Sequence, residues 1–280
     1  MSFDHAIRAG GVAVITGAAS GVGLAAAKDL SRRGLDIILA DLPGANLDAA
    51  AEVVSNAAQG NVTVTSKPTD VADAAAVNEL ADMAFLAGPV AVLMNNAGIA
   101  HPTSAWSDIG NWRRMVEVNL FGVINGIQAF TQRMVDANRP AAIINTGSKQ
   151  GITTPPGNPG YNVTKAGVKV ATEMLAHELR EADAPVSAHL FVPGFTYTGM
   201  IAAFLPEKPD AAWTSEQTVE HLFARVSAGD FYVLCPDNDV TPEIDARRVT
   251  WAAQDIAQNR PALSRWHPDF VSHFKQFEKG

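Results

Sequence analysis

Val12-Ala13-Val14-Ile15-Thr16-Gly17-Ala18-Ala19-Ser20-Gly21-Val22-Gly23 reads as a strand that turns sharply into a helix. Four apolar residues come first, then glycines at 17, 21 and 23, then a run at 24–33 of helical composition. Such glycines allow a tight turn and let backbone N–H groups approach a pyrophosphate at the helix N-terminus. A glycine-rich turn can also be only a turn. Its place between a first strand and a helix points to dinucleotide binding, and so to an α/β fold.

Outward from this stretch, apolar or β-branched runs recur at 36–40, 62–65, 90–94, 142–145, 186–192 and 231–234. Most are continuous rather than alternating, as in strands covered on both faces. Segments rich in Ala, Leu and Glu, long enough for helices, separate them. The pattern predicts one α/β domain over residues 1–280. It is a doubly wound, parallel, seven-stranded sheet with helices on both faces and a C-terminal extension. No linker, internal repeat or low-complexity tract divides the chain.

Polar residues gather where the strands end. Asp41 follows the second strand, where a carboxylate can accept from ribose hydroxyls and repels a 2′-phosphate; a turn or N-cap aspartate is the alternative. Asp70-Val71 follows the third strand, and Asp70 either takes an adenine amino group or caps the helix starting near Asp73. Asn95-Asn96-Ala97-Gly98 closes the fourth, small and polar enough for backbone to lie against a flat ring. A long helix from Ser107 or Asp108 to about Asn138 puts Asn119 in an apolar face, as a satisfied core amide or as the anchor of a water in a proton relay.

Tyr161 and Lys165 are four apart, so on a helix they stand one turn apart on one face. An ammonium beside a phenol favours its ionised form, which makes Tyr161 a candidate general base near neutral pH. Ser148, off the end of the fifth strand, can hydrogen-bond the same substrate oxygen. The rigid, proline-rich loop 153–160 delivers the helix that carries Tyr161. Taken alone, the Tyr–Lys pair is a weak motif, and its neighbours must support it.

The sixth strand ends in Pro193-Gly194, followed by Phe195-Thr196-Tyr197-Thr198. Residues 195–213, with Met200, Ile201, Phe204 and Leu205 between prolines, read as a substrate loop. Either a mobile lid over an apolar pocket or a short amphipathic helix fits them. Thr214 with Gln217 predicts a capping box for a helix to 228, and Thr241-Pro242 starts another to about 258. Residues 241–280 form a C-terminal helix and a tail. Trp266, Phe270, Phe274 and Phe277 in that tail imply packing on the body, a second subunit or the pocket mouth.

A net charge of −8 with no basic cluster argues against nucleic acid and anionic membrane as partners. Cys235, the only cysteine, fits a reducing compartment and a buried apolar position. Residues 1–10 do not read as a signal peptide, and no apolar run is long enough to span a bilayer. The expectation is a cytoplasmic protein. Seven histidines without ligand spacing predict no metal site.

Together, Thr16 to Gly23 as T-G-x-x-x-G-x-G, Asn95 to Gly98, Asn119, Ser148, Tyr161, Lys165 and Pro193-Gly194 occur in an order that resembles the short-chain dehydrogenase/reductase family over roughly the first 240 residues. The resemblance implies a Rossmann fold, NAD or NADP as cofactor, and Asn119, Ser148, Tyr161 and Lys165 as a catalytic tetrad. In it, Tyr161 is the acid/base, Lys165 lowers its pKa and holds the nicotinamide ribose, Ser148 positions the substrate oxygen and Asn119 anchors a water relay.

Cofactor contacts are implied at Gly17, Ser20, Gly21, Val22 and Gly23 in the first turn, and at Asp41 and Leu42 after the second strand. Further along they fall at Asp70 and Val71, then at Asn96, Ala97 and Gly98. Pro193, Gly194, Thr196 and Thr198 join Tyr161 and Lys165 around the nicotinamide. Asp41, with Ser20 and Leu42 at the places where NADP users of the family often carry a basic residue, selects NAD over NADP. The expected activity is hydride transfer between NAD and an apolar, possibly aromatic, secondary alcohol or ketone. The alternatives are a non-catalytic NAD-binding sensor or scaffold, and an isomerase or dehydratase on the same scaffold. The segment after the last strand departs from the family's usual glycine-rich ending, so a homodimer is expected before a tetramer.

Overall fold

A computed structural model of the protein describes residues 3–8, 11–202 and 205–279. Phe204, the side chain of Met200, and residues 1, 2, 9 and 10 of the segment read as lacking a signal peptide lie outside the described residues.

In chain order the elements are α1 (Phe3–Arg8), β1 (Val12–Thr16), α2 (Gly21–Arg32), β2 (Asp36–Asp41), α3 (Ala45–Ala57), β3 (Val64–Pro68), α4 (Ala74–Ala87) and β4 (Val90–Asn95). Then come α5 (Ile109–Met115), a π-helical turn (Val116–Phe121), α6 (Gly122–Asp136), β5 (Ala141–Thr146), α7 (Gln150–Thr153), α8 (Pro159–Glu181) and β6 (Val186–Val192). The chain finishes with α9 (Gly199–Ala202), α10 (Ser215–Ser227), β7 (Tyr232–Leu234), α11 (Pro242–Ala257), a 3-10 turn (Ser264–Trp266) and α12 (Val271–Lys279).

The seven strands form one sheet in the order β3-β2-β1-β4-β5-β6-β7, every pair parallel. Both faces are buried because successive side chains of a strand point to opposite sides. In β1, Ala13 and Ile15 join a core with α2, α3 and α10, while Val12 and Val14 join one with α4, α6 and α8. The strand order reverses between β1 and β4, which places a crevice at the carboxyl ends of these strands.

Several elements differ from the sequence reading. The third strand is Val64–Pro68 rather than 62–65, and α2 begins at Gly21, inside the glycine turn, rather than at 24. The N-cap of α4 is Asp73, which accepts from Ala75 N at 2.9 Å, so Asp70 does not cap this helix and instead accepts from Ala72 N at 3.0 Å. The expected helix from 107 to 138 runs without a gap from Ile109 to Asp136 but contains the π turn, and Asp108 begins it in a left-handed conformation without a side-chain cap bond. Residues 195–213 contain the short helix α9 and are closed at their base, where Tyr197 N donates to Trp213 O and Trp213 N to Phe195 O, each at 2.9 Å. The capping box at Thr214 and Gln217 is formed. The first helix escaped the sequence reading because six residues carry little periodicity; Phe3 secures it by stacking on Phe223 at 5.2 Å between ring centroids.

Beyond β7 the chain adds a layer of its own. Trp251 of α11 packs edge-on against Phe274 of α12 at 5.3 Å and lies 5.2 Å from Phe277, and the Arg260 guanidinium covers the indole at 4.0 Å. Among the described residues, no helix is long and apolar enough to cross a membrane.

Candidate active site

A cavity of about 810 Å³ opens along the carboxyl ends of the strands. Its floor is set by the first turn. Gly17 has φ +65°, and a Cβ there would come 2.7 Å from Ala97 Cα, so the β1 and β4 ends meet backbone to backbone. A Cβ on Gly23 would strike Gly17 O and lie 2.8 Å from Asn96 Nδ2. Gly23 therefore does not line the cavity; it lets α2 pack beneath the turn that does. Asn96 staples the same ends, donating to Thr16 O at 3.1 Å and Gly17 O at 3.3 Å and accepting from Thr146 Oγ1 at 3.3 Å.

Asp41, at the end of β2, faces the cavity together with Leu42. Its carboxylate accepts from Ala19 N and from Leu42 N, both at 2.8 Å. Asp70 and Val71 line the same end, and the Val71 carbonyl is held by Asn125 Nδ2 at 2.9 Å.

The other end of the cavity holds Ser148, Tyr161 and Lys165. Tyr161 owes its place to an anchored helix start. Asn158 caps α8, accepting from Tyr161 N at 3.2 Å and from Thr103 Oγ1 at 2.8 Å, and its amide donates to His101 O at 2.9 Å. Ser148, between β5 and α7, lies beside the Tyr161 phenol, and its Oγ accepts from Gln150 N at 3.2 Å. Lys165 is buried, donates from Nζ to Thr146 O at 2.7 Å, and sits 5.8 Å from the Tyr161 ring centroid.

Electrostatics here correct one expectation. The Tyr161 phenol is not held below its ordinary pKa: burial pushes it up, and the Ser148 hydroxyl beside it only partly opposes this. Burial also lowers Lys165 from 10.5 to about 8. A cation close by favours the phenolate, but a dry pocket disfavours any charge that is not fully paired.

Asn119 lies in the π turn, fully buried. Its Oδ1 accepts from Ile99 N at 2.7 Å, and its Nδ2 donates to Ile99 O at 2.9 Å and Thr164 Oγ1 at 3.3 Å. The amide is thus spent on the backbone just beyond Gly98 and does not line the cavity.

Pro193, Gly194, Thr196 and Thr198 line the cavity at the end of β6, with Thr196 Oγ1 3.0 Å from Thr218 Oγ1. The wall also includes residues that the sequence did not single out as site residues, among them Lys149, Gln150, Arg114, Asp237, Val240 and Arg248. Lys149 carried one available signal, its place directly after Ser148. Asp237, Val240 and Arg248 are distant in sequence and had none.

The pattern of the short chain dehydrogenase family matches residues 11–209. This chain belongs to that family. It is 31% identical over 219 residues to the 1-deoxy-11-beta-hydroxypentalenate dehydrogenase of Streptomyces avermitilis, covering 72% of this chain and 80% of the relative. A crystal structure of a short chain dehydrogenase/reductase from Burkholderia phymatum in complex with NAD is similar with a TM-score of 0.80 at 31% identity, over 90% of this chain and 96% of that one. A short-chain dehydrogenase from Sphingobium yanoikuyae in complex with NADPH shares the fold, with a TM-score of 0.72 at 24% identity over 89% and 94% of the two chains.

The chain is accordingly a Rossmann-fold oxidoreductase of the dehydrogenase type, and the two solved relatives above hold a nicotinamide cofactor. This chain's residues fit that group: Gly17, Ser20, Gly21 and Val22 of the first turn border the cavity and would take its phosphates, and Lys165 borders the same cavity for the nicotinamide ribose.

Proposed function

We propose that the protein is an NAD-dependent dehydrogenase of an apolar secondary alcohol, or the corresponding ketone reductase, using Ser148, Tyr161, Lys165 and Asn119. The observation that carries this reading is the convergence of Ser148, the Tyr161 phenol and the buried Lys165 ammonium at one end of a cavity whose other end is the glycine turn.

The Gly17–Val22 turn, Asp41, Asp70 and the Thr196–Thr198 segment would hold the cofactor, which would supply the hydride acceptor. Tyr161 Oη takes the proton of the carbinol hydroxyl in oxidation and returns it in reduction. Ser148 Oγ holds the carbinol oxygen, and its hydroxyl beside the phenol favours the phenolate. The Lys165 ammonium favours the phenolate by charge and has further N–H donors for ribose hydroxyls besides the one given to Thr146 O. Asn119 fixes the Ile99 backbone, and with it the carbonyl through which a water chain to Lys165 would run.

Phe195, Ile201 and Val240 give the substrate end an apolar wall, which favours a carbinol on a hydrocarbon frame. NAD is preferred because Asp41 stands at the ribose end with Leu42 beside it. A homodimer is the assembly we favour: Val163, Val170 and Met174 are exposed along one side of α8.

Incubating the protein with NAD or NADP and a panel of cyclic and acyclic secondary alcohols, and following reduced nicotinamide by absorbance, tests this reading. NAD-linked oxidation of apolar members is expected. Cofactor binding without turnover of any alcohol or ketone would return the protein to a sensor or scaffold role.

A further inference from the structure

The loop that carries Ser148 is tied to the C-terminal extension. Lys149 Nζ lies 2.6 Å from Asp245 Oδ2 on α11 and 3.7 Å from Asp237 Oδ2 in the loop after β7. The Asp237 carboxylate reaches further, accepting from Phe195 N at 3.1 Å and from Val240 N at 2.8 Å. Phe195 opens the segment that brings Thr196 and Thr198 to the cavity. Three separate stretches of chain therefore converge on one ammonium. Lys149 and Asp237 face the cavity, and Asp245 lies behind them.

The cluster is nearly dry: the Asp237 and Asp245 side chains are 6% and 7% exposed. The two desolvated carboxylates share Lys149 as their ion-pair partner, with Arg248 adding a smaller attraction to Asp245, so removal of the Lys149 ammonium leaves like charges facing each other largely away from water. Burial raises the Asp245 carboxyl and Lys149 opposes the rise, which agrees with that dependence. The family pattern ends at residue 209, so both carboxylates come from the part of the chain beyond it.

We propose that Lys149 is a positioning residue, whose ammonium, shared by Asp245 and Asp237, locks the C-terminal extension onto the Ser148 loop and so fixes Ser148 against the substrate oxygen. The proposal rests on the dehydrogenase reading above. It assigns α11 a part in the reaction although α11 bears none of the four reacting side chains. Misplacement of a catalytic group by about 1 Å can cost on the order of a hundredfold in rate, so a modest loosening has a measurable effect.

Asp245→Asn, which keeps the shape, and Lys149→Met are the variants to compare, with Lys149→Arg as the conservative control. Asp245→Asn is expected to lower kcat for the best alcohol by roughly tenfold, and Lys149→Met by more. The NAD dissociation constant should stay close to wild type in both, and so should the melting temperature of Asp245→Asn, whereas Lys149→Met leaves two desolvated carboxylates without their ammonium and should melt lower. Lys149→Arg should recover most of kcat, and the double variant should lose less than the two single losses combined, because both break one contact.

Unchanged kcat in Asp245→Asn overturns the proposal. So does a loss in Asp245→Asn that runs in step with cofactor affinity and melting temperature, which a merely structural contact would give. Should the wild type turn over no alcohol, the dehydrogenase reading is what has failed. Amide hydrogen exchange then decides the clamp: faster exchange at residues 148–153 and 195–198 in Asp245→Asn supports it, and unchanged exchange rejects it.

Discussion

Asp41 holds Ala19: the carboxylate at the end of β2 accepts the Ala19 N–H at 2.8 Å and so braces the glycine turn from the neighbouring strand. A second bond, from Leu42 N, uses the other oxygen. A carboxylate has about four acceptor sites, so lone pairs remain on the cavity side for ribose hydroxyls. A 2′-phosphate would meet a fixed negative charge that cannot swing away without releasing the turn. The expected preference for NAD over NADP is about 3 kcal/mol, or roughly a hundredfold in kcat/KM. Asp41→Ser with Leu42→Arg should reverse it, at some loss of NAD efficiency because Ala19 N loses its partner. Comparable kcat/KM for both cofactors in the wild type would show that Asp41 serves the turn alone.

Tyr161→Phe keeps the ring on its anchored helix start and removes only the hydroxyl. Cofactor binding should persist while turnover falls by roughly 10²–10⁴-fold. Stopped-flow or overnight product assays, paired with an NAD titration, measure both. Turnover close to wild type would exclude Tyr161 as the proton carrier.

Lys165 predicts an unusual alkaline profile for the stability of the cofactor-free protein. Its pKa is lowered by burial from 10.5 to about 8. Between those values the unfolded chain holds a proton that the folded chain has released, so stability rises with pH there. Below about 8 both states are protonated, and the buried ammonium costs about 3 kcal/mol. Lys165→Met removes that cost, so its stability advantage over wild type should shrink as pH climbs from 8 towards 10.5. Denaturant titrations at several pH values give the comparison, and a constant difference across the range would contradict the buried-ammonium account.

The aromatic tail should act on the alcohol more than on the cofactor. Phe274 is 4% exposed and packs on Trp251, so Phe274→Ala should cost roughly 3 kcal/mol of the stability of this layer. Arg248 lines the cavity and is held by Glu278 at 2.7 Å. Truncation before Arg260 should therefore raise KM for the alcohol while leaving the NAD dissociation constant in place. Unaltered alcohol kinetics and oligomeric state after truncation would mean that the tail only covers α11.

The sheet was legible because each strand announces itself locally. The run 90–94 is apolar throughout and 142–145 is apolar up to Asn145, as in strands covered on both faces. The order of polar strand ends then placed Asp41, Asn96, Ser148 and the Thr196–Thr198 segment on one side of the sheet, where they line a single cavity. Three things were not legible. Asn119 was visible as a misfit in an apolar helix, but the π turn that aims it at Ile99 depends on an extra residue that no side-chain pattern marks. The pKa of Tyr161 could be argued from Lys165 alone in the sequence, whereas its burial, which turns the shift upward, is a property of the packed site. Finally, Lys149, Asp237 and Asp245 are ordinary charged residues in sequence, and only the return of α11 to the β5 end brings them together.

The π turn has a consequence for what the helix between β4 and β5 can lose. An α-helix turns by about 100° per residue, and a π turn absorbs one surplus residue without disturbing the phase of the helix on either side. Deleting a residue between 116 and 121 would thus regularise the helix, leave α5 and α6 facing their neighbours as before, and rotate Asn119 away from Ile99. The scaffold would keep its cover and the backbone beyond Gly98 would lose its brace. In this stretch the capacity to fold and the capacity to react are separable by a single codon.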